Sequence, residues 1–174
     1  EKKILGWAVA LLGLQLSFKE LSLSVWLIPV LIIIIAVSIL LGKTLAKKLR
    51  VNQSCGYMIG VGSAICGASA IAAVSPFLNK QPHETGVAVG VVNVLGTVGM
   101  LLLPLAVLAL GFNNQEAGVL IGGTLQGVGH VVGGGYAVGE EAGQIATLVK
   151  LARVLMLGPL VIITAIAMQK GDAK

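Results

Sequence analysis

The chain has 174 residues, 56% apolar and 11% charged, where soluble domains carry ~25% charged residues. With 12 basic and 7 acidic side chains it cannot cover a water-facing surface, which excludes a soluble globule, a disordered chain and a nucleic-acid-binding domain. The net charge of +5 is placed for anchoring: Lys43, Lys47, Lys48 and Arg50 follow directly on a long apolar run, where cytoplasmic charge belongs.

A helix rises 1.5 Å per residue and needs roughly 20 residues to cross a core of about 30 Å. Segment A is Ile4–Phe18, short for a span, and the loop Lys19–Ser22 follows it. Segment B, Leu23–Gly42, contains the β-branched run Leu31–Ala36, read as helix because lipid admits only helices and closed barrels. Segment C, Val51–Asn79, carries no formal charge but is loaded with Gly and Ser, and it holds both cysteines, Cys55 and Cys66, whose spacing fits neither a disulfide framework nor a zinc site. Segment D, Thr85–Leu110, is apolar with Pro104 inside. A loop with Asn113-Asn114 leads to segment E, Ala117–Gly139, again uncharged and rich in glycine. The pair Glu140-Glu141 precedes segment F, Ala142–Met168.

These segments predict an all-α polytopic membrane helix bundle. It has about six spans in a single transmembrane domain over residues 1–174, with both termini cytoplasmic. Eight Lys or Arg then lie inside, against Lys19 and Lys80 outside. The loop 111–116 fits poorly, since it would be cytoplasmic yet holds no Lys or Arg. A re-entrant C or E would change this count.

Three constellations stand out. Gly60–Ala73 suits close helix packing through Gly56-x3-Gly60 and Ser63-x3-Gly67. It also suits a discontinuous helix that unwinds over Gly62–Gly67. A second half-helix would then start near Ala68-Ser69 with its N–H groups free for an anion. Gly118–Gly139 contains Gln126, His130 and the triple glycine Gly133-Gly134-Gly135, and here a break is the favoured reading. Lys150 and Arg153 share one helix face, Arg153 on the order of 15 Å deep. No acidic residue occurs between Ala142 and Gly171. A cation at depth needs compensation from a distant Glu, from the carbonyl ends of broken helices, or from a bound anion. No nucleophile–base pair, phosphate loop or metal motif is present, so neither an enzyme nor a cofactor or metal is expected.

The runs Gly62–Ala73 and Ile145–Met156, with Leu12–Phe18 and Gly96-Thr97 in matching order, closely resemble the YeiH-type sulfate-exporter family of bacterial inner-membrane proteins. The resemblance covers essentially the whole chain and implies that it corresponds to the central part of proteins about twice its length. In that family a His followed by an acidic residue opens segment E, with a Gln four residues later. Here Gln126 and Gly127 stand at the His and acid positions and His130 at that of the Gln, so the carboxylate is lost.

The expectation is a secondary-type transporter of a small anion in the bacterial inner membrane. The resemblance implies sulfate or a sulfur oxyanion as substrate. Ser63, Gly67 and Ser69 would present donors, Gln126 and His130 would line the same cavity, and Lys150 and Arg153 would balance the anion's charge. The partners are the lipid bilayer, the anion and, in an oligomer, further copies of the chain. Two alternatives stay open: a non-transporting subunit of a larger membrane complex, and a proton- or cation-coupled carrier working through His130.

Overall fold

The computed structural model describes residues 24–78 and 83–169, which form helices and short connections. Segment A, the loop after it, Lys80 and the C-terminal lysines lie outside the described residues. Helix α1 (Ser24–Lys48) ends on Lys47 and Lys48, whose charges suit the negative end of the helix dipole. Arg50, in the left-handed region at φ 55°, turns the chain. Asn52 then caps α2 (Gln53–Ala64), its side chain accepting from the Ser54 N–H at 3.0 Å.

Helices α1 and α2 pack antiparallel along small residues. A Cβ on Gly42 would lie 2.4 Å from the Gly56 carbonyl oxygen, and one on Gly60 2.9 Å from the Ile39 Cα. The Gly56-x3-Gly60 spacing therefore serves close packing, as one of its two sequence readings had it.

Helix α2 breaks at Ile65–Gly67, where Ile65 takes φ −118°, ψ −91° and Gly67 takes φ 72°, a left-handed value that favours glycine. The chain resumes as α3 (Ala68–Val74), at the position expected for a second half-helix, followed by a 3-10 turn, Ser75–Phe77. Its direction is the unexpected part. Ile71 of α3 packs back onto Gly62, and Val74 and Leu78 join the core cluster that contains Cys55 and Met58. The next helix, α4 (Glu84–Ala109), starts beside the beginning of α2: the Cys55 Sγ lies 4.0 Å from the Glu84 carbonyl oxygen and Thr85 Oγ1 3.9 Å from Met58 Sδ. Segment C is thus a hairpin that enters and leaves on one face.

The same happens from the other face. Helix α4 has 26 residues, about 39 Å at 1.5 Å per residue, and delivers the chain to Asn113. Asn113 and Glu116 form a reciprocal capping box that starts α5 (Asn114–Thr124). A break at Leu125–Gly127 leads to α6 (Val128–Val138). Helix α6 runs parallel to α4, with His130 beside Gly96 and Gly133 beside Met100. It returns to the starting face, where a Cβ on Gly139 would lie 3.7 Å from the Asn114 side chain. Helices α7 (Glu140–Leu155) and α8 (Leu157–Gln169) then run on together, and α8 reaches the first face, where Tyr57 and Thr164 hydroxyls meet at 2.7 Å.

Among the described residues three helical stretches are long and apolar enough to cross a membrane, Pro29–Lys48, Glu84–Ala109 and Glu140–Ala167. Two opposed hairpins take the place of two further crossings. In the count of about six spans each broken segment stood for one crossing, whereas among the described residues segments C and E return to the face they enter from. Half-helices of 12 and 11 residues rise only about 16–18 Å, near the middle of the core, and each tip reverses the chain. The triple glycine does not mark the second break. Gly133–Gly135 lies within α6, where a Cβ on Gly135 would come within 3.0 Å of the Gly143 Cα, so these glycines serve close packing.

The hairpins also move loops. Residues 83–84 share the face of the basic turn 43–50, and residues 110–116 share the face of Gly139–Glu141. With the native cysteines replaced, single cysteines at His83 and Lys47 are expected to react with an impermeant thiol reagent from the same side of the membrane. One at Asn113 should react only from the other. Labelling of His83→Cys and Asn113→Cys from one side would contradict the hairpins.

Candidate functional site

The two tips meet beside the middle of α4. A Cβ on Gly67 would lie 3.6 Å from Val92 and 3.9 Å from the Gln126 backbone. Each break exposes carbonyls at the end of its first half-helix, which lack intrahelical partners. Both sets are satisfied from α7. Lys150 Nζ donates to the Ile65 carbonyl and, at 2.8 Å, to that of Leu125. Arg153 Nε donates to Ala64 O at 2.9 Å, and Nη2 to Ser63 O at 2.9 Å and to Ala64 O. Its Nη1 donates to Gly122, Gly123 and Leu125 O at 3.0, 2.7 and 3.2 Å. The two side chains are 0% and 1% exposed.

Of the three ways to compensate a deep cation, the carbonyl ends of broken helices are the one used. All the recorded bonds of both cations go to backbone oxygens. The carboxylates of Glu84, Glu116, Glu140 and Glu141 sit in the first turns of α4, α5 and α7. Carbonyl dipoles solvate a cation without cancelling its charge, and no carboxylate is bonded to either side chain among the described residues. Arg153 has five N–H donors and its bonds occupy all three nitrogens. It therefore has no donor to spare for direct contact with a solute, and acts on one only through its field.

The remaining expected residues divide. Gln126 and His130 lie together: a Cβ on Gly96 would fall 3.2 Å from Gln126 Oε1 and 2.5 Å from His130 Nδ1. Both atoms are buried without a hydrogen-bond partner. His130 Nε2 lies 3.4 Å from the Thr97 hydroxyl, which donates to the Asn93 carbonyl at 3.0 Å. Gly67 is buried at the first tip, and Ser63 contributes its carbonyl to Arg153. Ser69 is exposed, in the first turn of α3. With seven residues α3 is too short for a strong dipole at its N-terminus, which weakens the anion site expected there. The better start is that of α6, with 11 residues, no side-chain cap and the Val131 N–H as the first to bond within the helix, to Gly127 O.

Sequence reasoning missed the carbonyls of Ser63, Ala64, Ile65, Gly122, Gly123 and Leu125, since every residue carries one and nothing in residue type marks which lose their partners. The signal available was the coincidence of two glycine-loaded segments with two unpaired cations. Among the described residues no three His, Cys, Asp or Glu side chains group as metal ligands.

Opposed re-entrant hairpins, broken near the membrane centre and clamped by buried cations, define a polytopic helical membrane protein with a polar centre. The chain belongs to the family described as Conserved hypothetical protein 698, which it matches over residues 1–174. It is 37% identical to a UPF0324 membrane protein of Oceanobacillus iheyensis over 98% of this chain and 51% of that protein. It is 35% identical to one of Pseudomonas putida over 94% and 47%, and 33% identical to one of Vibrio parahaemolyticus over 98% and 56%. The chain thus spans about half the length of the curated relatives it matches. No solved structure matches it.

Proposed function

We propose that this chain forms the solute-binding centre of a secondary-type transporter for a small anion, with sulfate or a related sulfur oxyanion as the first candidate. The observation that carries the reading is the pair Lys150 and Arg153, 0% and 1% exposed, bonded only to carbonyls. Two cations near a membrane's middle that are solvated by carbonyls but lack a counter-charge are costly, and an anion entering beside them recovers energy through Coulomb attraction in a medium of low dielectric. Direct contacts come from the free first-turn N–H groups of α6, from the Gln126 side-chain –NH2 and from His130, with Ser63, Gly67 and Ser69 flanking the first tip. The cations supply the field. The choice of sulfate rests on the resemblance of Gly62–Ala73 and Ile145–Met156.

Charge also orients the protein. The face with Lys43, Lys47, Lys48 and Arg50 is basic, whereas residues 110–116 and 139–141 hold Glu116, Glu140 and Glu141 and no Lys or Arg. The positive-inside rule puts the basic face in the cytoplasm of a bacterial inner membrane. In this orientation residues 111–116, on the face opposite the basic turn, lie outside, and the loop that fitted poorly with six crossings no longer does so.

The test is thermal stabilisation of the purified full-length protein. Sulfate or thiosulfate at a hundred times its Kd is expected to stabilise the fold by about 2.7 kcal/mol, where chloride at equal ionic strength does not. Absence of stabilisation by any oxyanion, together with co-purification of a stable membrane partner, would favour the non-transporting subunit.

A further inference from the structure

We propose that the open face of α4 seats a transmembrane helix contributed by the part of the full-length protein outside residues 1–174. That helix carries small residues opposite Gly86 and Gly90 and a hydrogen-bonding side chain opposite Asn93. The inference does not depend on the anion reading.

Glycine pairs four residues apart do one job elsewhere in this bundle. Gly56-x3-Gly60 seats α1, with a Cβ on Gly60 2.9 Å from the Ile39 Cα. Gly118-x3-Gly122 seats α7, with a Cβ on Gly118 2.8 Å from the Ala142 carbonyl oxygen. Gly86-x3-Gly90 repeats the spacing on α4, yet a Cβ on either would meet nothing within 4 Å among the described residues. Glycine weakens a helix. Lipid gives nothing in return, whereas a helix that approaches closely does.

Asn93 is a separate observation. Steps of four, three and four residues put Gly86, Gly90, Asn93 and Thr97 on one face of α4. Asn93 and Thr97 are both exposed. The Thr97 hydroxyl is satisfied by the Asn93 carbonyl at 3.0 Å, but the Asn93 side-chain amide has no hydrogen bond among the described residues. Asn93 lies nine residues after Glu84, about 14 Å along a helix about 39 Å long. With α4 centred in a hydrocarbon core of about 30 Å, this amide falls within the core. Facing lipid there it is costly, and bonded across a helix pair it is glue.

Farther along, the same side of α4 opens into a groove of about 320 Å³ against α6, lined among others by Met100, Pro104, Leu108, Gly133 and Ala137. From Gly86 to Leu108 the face runs 22 residues, about 33 Å, the full thickness of the core. A crossing helix uses that whole length, and a small solute does not. The chain spans about half the length of its relatives, so about as much again of the same polypeptide lies beyond it. Because it is tethered, that part meets the face at a high effective concentration, an advantage a second copy lacks.

The test uses the full-length protein. Gly90→Leu is expected to lower its melting temperature by about 5 °C, since a bulky side chain would prise the seated helix away. On a lipid face the same change would raise it, because leucine is the better helix former. Benzoylphenylalanine at the exposed Val94, which flanks the face and leaves its glycines intact, is expected to cross-link within one polypeptide on illumination. Mass spectrometry should place the adduct in a peptide outside residues 1–174. A melting temperature unchanged or raised in Gly90→Leu would overturn the proposal. So would cross-links to a second copy, seen as a band of twice the mass, to a peptide within residues 1–174, or to lipid and detergent only.

Discussion

Arg153→Met is expected to destabilise the full-length protein by on the order of 3–5 kcal/mol, because several buried carbonyls lose their donor at once. The methionine fills much of the volume but donates nothing. The carbonyls of Ser63, Ala64, Gly122 and Gly123 would then be buried at two hairpin tips with no donor from Arg153. Each such orphan costs about 1–3 kcal/mol, partly offset because a charge no longer has to be desolvated. Arg153→Lys should be intermediate, since three donors on a compact head cannot reach both tips as the guanidinium fork does. Thermal melting in detergent measures this, and proteoliposome flux of labelled sulfate should vanish in Arg153→Met. A melting point within a degree or two of the wild type would mean that the clamp does not hold the tips.

Two adjacent glycines make a sharper comparison. A Cβ on Gly122 would lie 2.4 Å from the Ala146 carbonyl oxygen, whereas one on Gly123 meets nothing within 4 Å. Gly122→Ala must push α5 away from α7, and backbone atoms cannot rotate aside as a side chain can. The same shift pulls the Gly122 carbonyl from Arg153. The expected loss is about 1–3 kcal/mol, the usual cost of overpacking. Gly123→Ala should be neutral or stabilise by up to about 1 kcal/mol, the helix-propensity gain. Equal melting points for the two variants would show that α5 and α7 do not approach as closely as the structure has them.

How far residues alone reach is clearest at particular places. The start of α3 at Ala68 and the existence of a break in segments C and E were legible, because glycine and serine loading at mid-membrane has no use in lipid anchoring. The position of the second break was misjudged. Gly133–Gly135 draws the eye, yet those glycines lie inside α6 to let Gly143 and Met100 approach, and the chain breaks earlier, at Leu125–Gly127. Close packing and chain reversal call on the same residue, so glycine count cannot separate them.

Composition by itself determined the solvent, the helical class and the need of Lys150 and Arg153 for compensation, because each follows from the cost of placing a polar group in lipid. Tertiary structure decided whether a broken segment crosses or returns, since hydropathy measures length and is blind to direction. It also decided what compensates the cations. The carbonyls left over where two hairpins break do so, and they become partners only once chain reversal brings both tips to α7.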